Sequence, residues 1–274
     1  MKIKYLGTAA AEGIPALFCE CEICRMAKKL GGKDIRTRSQ AIIDDKILID
    51  FPADTYLHYL RYDFPLSRIK TCLITHSHSD HLYVDDVMMR DDIASHMENK
   101  ELMTFYSGQS GYDMLKAVIK ENQLEKDVAA VQIKPFEPFE TEGYRITPLD
   151  ASHSPKTSPV IFLIEKDGKS ILYSNDTSEY SETTWKYLKG RKIDFISMDC
   201  TEAVSDATYI GHLTLERNIK MRERMYEMEI AHEKTVFVLN HFSHNGGNVL
   251  YDEFSKIAAE HGYLVSYDGM ECII

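Results

Sequence analysis

No apolar run in the chain approaches the length of a bilayer-spanning helix, which excludes a membrane protein of the helical kind. The opening residues Met1 to Gly7 alternate charge with bulk like a strand and lack the apolar stretch of a secretory signal. A cytoplasmic protein is therefore expected. Linkers rich in Pro, Gly or Ser, low-complexity tracts and short-period repeats are missing too, so one domain over 1–274 is the simplest organisation. Positive charge is scarce: 32 Lys and Arg stand against 43 Asp and Glu, a formal net charge of -11. That balance repels a polyanion and disfavours a long nucleic acid as partner or substrate. Nor do the 6 Cys suggest a secreted disulfide framework, because Cys19, Cys21 and Cys24 crowd together as metal thiolates do in a reducing compartment.

What the chain does have is an ordinary globular composition, 44% hydrophobic and 27% charged, sufficient for a substantial core. Apolar runs bounded by turn residues read as strands at Lys2 to Leu6, Ser39 to Ile43, Lys46 to Asp50, Thr71 to Thr75, Tyr144 to Leu149, Val160 to Glu165, Ser170 to Ser174, Asp194 to Met198 and Thr235 to Leu239. Helical patterns cover Ala53 to Arg61, Ser181 to Leu188, Thr214 to about His232 and Val249 to His261. Residues 82–127 read as a mainly helical, Met-rich insertion, and a hairpin through Asp268-Gly269 is expected to close the chain from Leu264 to Ile274. Strands and helices mixed in this way imply an α/β chain in which two mixed sheets pack face to face with helices outside, an αββα sandwich.

The most informative segment is Thr75-His76-Ser77-His78-Ser79-Asp80-His81, directly after an apolar strand. Three imidazoles and a carboxylate in so short a span suit a divalent metal, and turn chemistry asks for no such crowd of His. Further polar groups leave the ends of other strands: His153 beyond Leu149-Asp150, Asp176 beyond Ser174, His241 beyond Leu239. One rim of the sheets could gather them all. Two neighbouring cations can share a water and lower its pKa toward neutrality, making hydroxide available, and an anionic carboxylate between them offsets their repulsion. Asp176 fits that role. Asp50, ending the strand Ile47-Leu48-Ile49, is either an acceptor that fixes a metal-bound imidazole or a cap before Pro52.

Cys19-Glu20-Cys21-Glu22-Ile23-Cys24 offers three thiolates where tetrahedral zinc wants four ligands. His244, in Asn240-His241-Phe242-Ser243-His244, could supply the fourth. A redox Cys pair or three unrelated thiols are the alternatives. His58, His96, His232 and His261 have no partners in sequence and receive no role, while Cys72, Cys200 and Cys272 read as small buried hydrophobes.

The His-x-His-x-Asp-His run followed by later His, Asp and His resembles the metallo-β-lactamase-fold hydrolases. That resemblance implies a first metal held by His76, His78 and His153, a second by Asp80, His81 and His241, and Asp176 as the bridge. In the family the strand before this run often ends Asp-x-Gly, whereas this chain has Asp50-Phe51-Pro52. The Cys loop, preceded by Gly7-Thr8-Ala9-Ala10-Ala11-Glu12-Gly13-Ile14-Pro15, is similar to the PhnP-type phosphoribosyl 1,2-cyclic phosphate phosphodiesterases, although their loop is commonly richer in Gly. This implies a structural zinc on Cys19, Cys21, Cys24 and His244, and a general acid or phosphate-holding role for His212 in Tyr209-Ile210-Gly211-His212-Leu213-Thr214. A packing or capping role for His212 stands beside it. The reaction so implied is hydrolysis of a small cyclic sugar phosphate, with Asp80, Asp176 and His212 as candidate catalytic groups and zinc or manganese as active-site metals. The partner expected is the small phosphodiester alone, with no membrane, and a homodimer is left open. An oxidoreductase or cofactor-biosynthesis protein similar to that of pyrroloquinoline quinone synthesis, or a hydrolase of another ester or lactone, is the alternative.

Overall fold

A computed structural model describes residues 1–206 and 211–274. The first sheet comprises β1 (Lys2–Gly7), β2 (Gln40–Ile43), β3 (Ile47–Ile49), β4 (Thr71–Ile74), β5 (Met103–Ser107), β6 (Val128–Gln132) and β14 (Glu271–Ile273), in the order β14-β1-β2-β3-β4-β5-β6. Strands β7 (Phe139–Thr141), β8 (Tyr144–Asp150), β9 (Val160–Lys166), β10 (Lys169–Ser174), β11 (Phe195–Asp199), β12 (Val236–Asn240) and β13 (Leu264–Val265) form the second, in the order β13-β12-β11-β10-β9-β8-β7. Each sheet has an antiparallel part built from hairpins and a parallel part built from crossovers. Parallel neighbours need long connections, and helices supply most of them. These are α2 (Thr55–Tyr62) and α3 (Gln109–Glu121) for the first sheet, and α4 (Glu182–Leu188), α5 (Leu215–Glu227) and α6 (Tyr251–Glu260) for the second.

Alternation along the strands sets the layers. Tyr5, Ile43, Ile49 and Leu73 of the first sheet meet Ile146, Phe162, Ile171 and Phe195 of the second in a dry core between them. The opposite face of the second sheet packs on Trp185, Leu188, Met225 and Phe254 of α4, α5 and α6. That of the first packs on Leu115, Val118 and Ile119 of α3. The αββα sandwich follows from this burial pattern.

Two expectations need correction. Residues 82–127 carry more helix than strand, in the 3-10 segment Val84–Arg90 and α3, but they are no insertion: β5 lies within them, in the middle of the parallel part of the first sheet, and α3 is the crossover to β6. Met103-Thr-Phe-Tyr-Ser107 buries alternate residues, a strand pattern. The closing segment is not a hairpin either. β13 pairs parallel with β12, whereas β14 crosses over and pairs antiparallel with β1. Asp268 accepts hydrogen bonds from Thr8 Oγ1, Thr37 N and Thr37 Oγ1, and Gly269 N donates to Tyr5 O, so the turn is anchored on the first sheet instead of folding back.

Candidate metal centre

β4 runs into the loop carrying His76, His78, Asp80 and His81; β8 leads to His153, β10 to Asp176, β11 ends in Asp199, and β12 leads to His241. Parallel registers set Ser174 against Met198 and Asp199 against Asn240, so Asp176, Asp199 and His241 leave the sheet at one level. Asp50, Asp176 and His241 all have positive φ, at 66°, 51° and 66°. Such backbone is uncommon outside Gly; the chain uses it in tight turns such as Asp44-Asp45 and Asp167 as well, but at these three positions it aims a side chain into the cluster.

The side chains meet as the strand-end pattern suggested. Ligand atoms of His76, His78 and His153 lie within 4.8 Å of one another, as do those of Asp80, His81 and His241. His78 Nδ1 is 2.9 Å from His76 Nε2 and 3.3 Å from His153 Nε2. Asp176 stands between the groups. Its Oδ2 is 2.6 Å from His81 Nε2 and 2.9 Å from His241 Nε2, while Oδ1 faces His153 Nε2 at 3.9 Å. Close as they are, His81 Nε2, Asp176 Oδ2 and His241 Nε2 are not angled for hydrogen bonding, so three fully buried polar atoms converge without partners. Orphaned atoms cost free energy, and a divalent cation among them removes that cost. The donor set, imidazoles and carboxylates, suits zinc or manganese.

The supporting shell is explicit. His81 Nδ1 donates to Asp50 Oδ2 at 2.7 Å, and Thr75 holds Asp50 through both its N–H and its hydroxyl. Asp50 therefore orients an imidazole and caps no helix; the residue at the cap of α2 is Asp54. Asp199, absent from the sequence reading, acts on the far side, on His212 directly and on His241 through Thr201, whose hydroxyl is 2.8 Å from His241 Nδ1 and donates to Asp199 Oδ2. It lies 3.5 Å from His241 Nδ1 and 3.2 Å from His212 Nδ1, and accepts from the backbone of Asp176, Thr201 and Leu213. The strand-end rule that singled out Asp176 points equally to Asp199, one residue past Met198. Burial works against the Asp199 carboxylate, yet the neighbouring His212 and His241 bring it down to about 2. His212 is pulled the other way: burial lowers it, but Asp199 and Asp176 outweigh that and raise it. Tyr209 and Ile210, which precede His212 in its motif, lie outside the described residues.

A cavity of ≈ 310 Å³ opens over this cluster, lined among others by Ala10, Glu12, His78, His153, His212 and Ser243. Behind one wall, Cys19, Cys21, Cys24 and His244 converge, also within 4.8 Å. Cys21 sits at the N-cap of α1 (Glu22–Leu30), where its sulfur accepts from Cys24 N. Cys21 N donates to Cys19 Sγ and Ala16 N to Cys24 Sγ. The bond from Cys24 N, with the others, lowers the Cys21 thiol to about 6, while burial raises Cys24 to about 12. Backbone donors aimed at three sulfurs fit a tetrahedral zinc. No disulfide competes.

Comparison with known proteins agrees with this geometry. A family model described as the beta-lactamase superfamily domain matches residues 46–242. A curated octanoyltransferase of Porphyromonas gingivalis is 25% identical over 283 residues, covering 100% of this chain and 52% of that protein. The chain thus spans about half the length of this relative. Zinc-bound PqqB of Methylobacterium extorquens superposes with a TM-score of 0.80 at 18% identity, over 100% of both chains. A diphosphatase of the PhnP family gives 0.75 at 22%, over 99% of this chain and 97% of that one, and the short form of human tRNase Z gives 0.70 at 16%, over 100% and 99%.

Proposed function

The chain belongs to the beta-lactamase superfamily, and from that premise we propose that it is a metal-dependent hydrolase acting on a small phosphodiester, a cyclic phosphate on a sugar. The observation that carries the reading is Asp176, whose two oxygens face two separate groups of donors. Two divalent ions held there by His76, His78 and His153, and by Asp80, His81 and His241, would supply an acidified water and positive charge opposite a phosphoryl oxygen. Everything else falls to the side chains. Asp50 keeps the His81 ring, and the Thr201 hydroxyl backed by Asp199 keeps the His241 ring, in the tautomer that leaves Nε2 facing Asp176. With Nδ1 of His212 against Asp199, a proton on its Nε2 is oriented to pass to the leaving alkoxide. The cavity over the cluster is at the small end of ligand pockets, which favours a sugar phosphate over a polymer. Structural neighbours described as a diphosphatase and a tRNase support hydrolysis at phosphorus.

A second reading, hydrolysis of an octanoyl ester or thioester, is favoured by the octanoyltransferase relative. One screen separates the two. Purified protein of measured metal content is assayed against bis(p-nitrophenyl) phosphate, ribose cyclic phosphates, a lactam and an octanoyl thioester. Turnover of the phosphodiesters, lost in Asp80→Ala and His241→Ala, is expected. Inactivity on every phosphodiester overturns the assignment, and turnover of the thioester alone transfers it to the second reading.

A further inference from the structure

We propose that Glu12 is a positioning residue that couples the cluster of three Cys and His244 to the wall of the catalytic cavity. The inference rests on the reading of the His and Asp cluster as a hydrolytic site and of the Cys cluster as a zinc site. His244 turns Nδ1 toward the sulfurs, 3.6 Å from Cys19 Sγ and 3.5 Å from Cys21 Sγ, so Nδ1 is the ligand atom. Its Nε2 points the other way, to Glu12 Oε1 at 3.9 Å. A metal-bound imidazole normally gives its second N–H to an acceptor that fixes the ring, and Glu12 is the carboxylate in reach. The same oxygen accepts from Ser243 Oγ, and Ser243 in turn takes the N–H of Asn245.

Both Glu12 and Ser243 line the cavity with His78, His153 and Asp176. Ser243 also lies between His241 and His244, one from each metal cluster. Backbone bonds hold this segment against the N-terminal loop: Phe242 N donates to Thr8 O, and Ala10 N to Phe242 O. One carboxylate therefore faces the zinc-binding ring at 3.9 Å on one side and lines the cavity on the other. Displacement of His244 is transmitted to Glu12 and Ser243 without passing through any ligand of the catalytic pair.

The test uses the whole protein with cobalt in place of zinc. The thiolate-to-cobalt charge-transfer band reports the Cys cluster alone, because the other cluster offers only nitrogen and oxygen donors. Glu12 is half-buried on a loop, so its truncation leaves the core intact. In Glu12→Ala, cobalt loss from the thiolates to a chelator should quicken by about tenfold or more. Inorganic phosphate should shift the band in the wild type and not in this variant, and KM for bis(p-nitrophenyl) phosphate should rise more than kcat falls. Glu12→Gln keeps an acceptor oxygen and should restore most of each property. Wild-type release in Glu12→Ala overturns the proposal, as does a wild-type band that stays unshifted while phosphorus NMR shows phosphate bound. Release and band need no turnover, so a protein inactive on every diester sinks the hydrolase reading and leaves this one decided by its own data.

Discussion

Asp199 is fully buried, and its two oxygens serve three backbone N–H groups while facing the Nδ1 atoms of His212 and His241. Replacing it by Asn keeps the shape but removes an anionic acceptor behind two imidazoles. Carboxylates in that position typically contribute 10–100-fold to metal affinity or activity. Asp199→Asn should therefore lose roughly that factor in kcat/KM and in affinity for the second metal, with an unchanged far-ultraviolet spectrum. Wild-type metal affinity in the variant would remove Asp199 from the site. His58 is a contrasting buried residue with a structural role. Gln40 Nε2 already donates to Asp50 O and Thr55 Oγ1, so Gln40 Oε1 requires a donor, and His58 Nδ1–H provides it at 2.6 Å. Burial pushes the His58 imidazole down from 6.5 to about 4. A base with a depressed native pKa binds fewer protons folded than unfolded. Its stabilising contribution is complete above pH 6.5 and is lost as the pH falls through 4. The unfolding free energy should decline by up to about 3 kcal/mol across that window. Urea titrations of wild type and His58→Asn at several pH values check this, since the variant should show a flatter decline.

Among the elements, those with a plain pattern are legible in the sequence: β4, β8, β10, β11 and β12 are short apolar runs bounded by turn residues, and each delivers a polar group from its end. β5 and the destination of β14 are not legible, for different reasons. β5 is only five residues long and runs almost directly into the helical pattern of α3, and β14 is decided by a contact with Tyr5, far away in the chain. Helix α1 is tied to the thiolate cluster at its start. Its buried residues are Ile23, Cys24 and Ala27, and its N-cap is the thiolate of Cys21. Its order should follow metal occupancy, since structural zinc contributes directly to folding free energy. In Cys21→Ala, amide exchange over 19–31 should accelerate strongly while β10 to β12 stay protected. Exchange-resolved mass spectrometry reads both, and unchanged protection over 19–31 would separate the helix from the cluster.

On the scale of the whole molecule, the cluster joins two sheets that otherwise meet through an apolar core and a few hydrogen bonds, such as Thr71 to Thr141 and Tyr144 to Asp44. His76, His78, Asp80 and His81 come from the carboxyl end of β4 in the first sheet; His153, Asp176 and His241 come from the second. The sequence revealed which groups leave strand ends and put Asp176 between the two sets, but it did not reveal Asp199, whose place behind His212 depends on how β11 sits between β10 and β12. Without cations, two carboxylates and several imidazole nitrogens are buried together with unpartnered atoms, an arrangement that favours separating the sheets. Metal should therefore stabilise the protein globally rather than at one loop. Binding to the folded state alone contributes about 2.7 kcal/mol when free metal is at 100 times its dissociation constant. In a chain of this size each kcal/mol moves the melting temperature by roughly 2–4 °C, so removal of the active-site metals should lower Tm by about 5–10 °C. Calorimetry of Cys21→Ala, where the thiolate site is already disabled, isolates this contribution. If that variant melts at the same temperature with and without chelator, the two sheets are held by their core and direct hydrogen bonds, and the cluster binds no cation that matters to the fold.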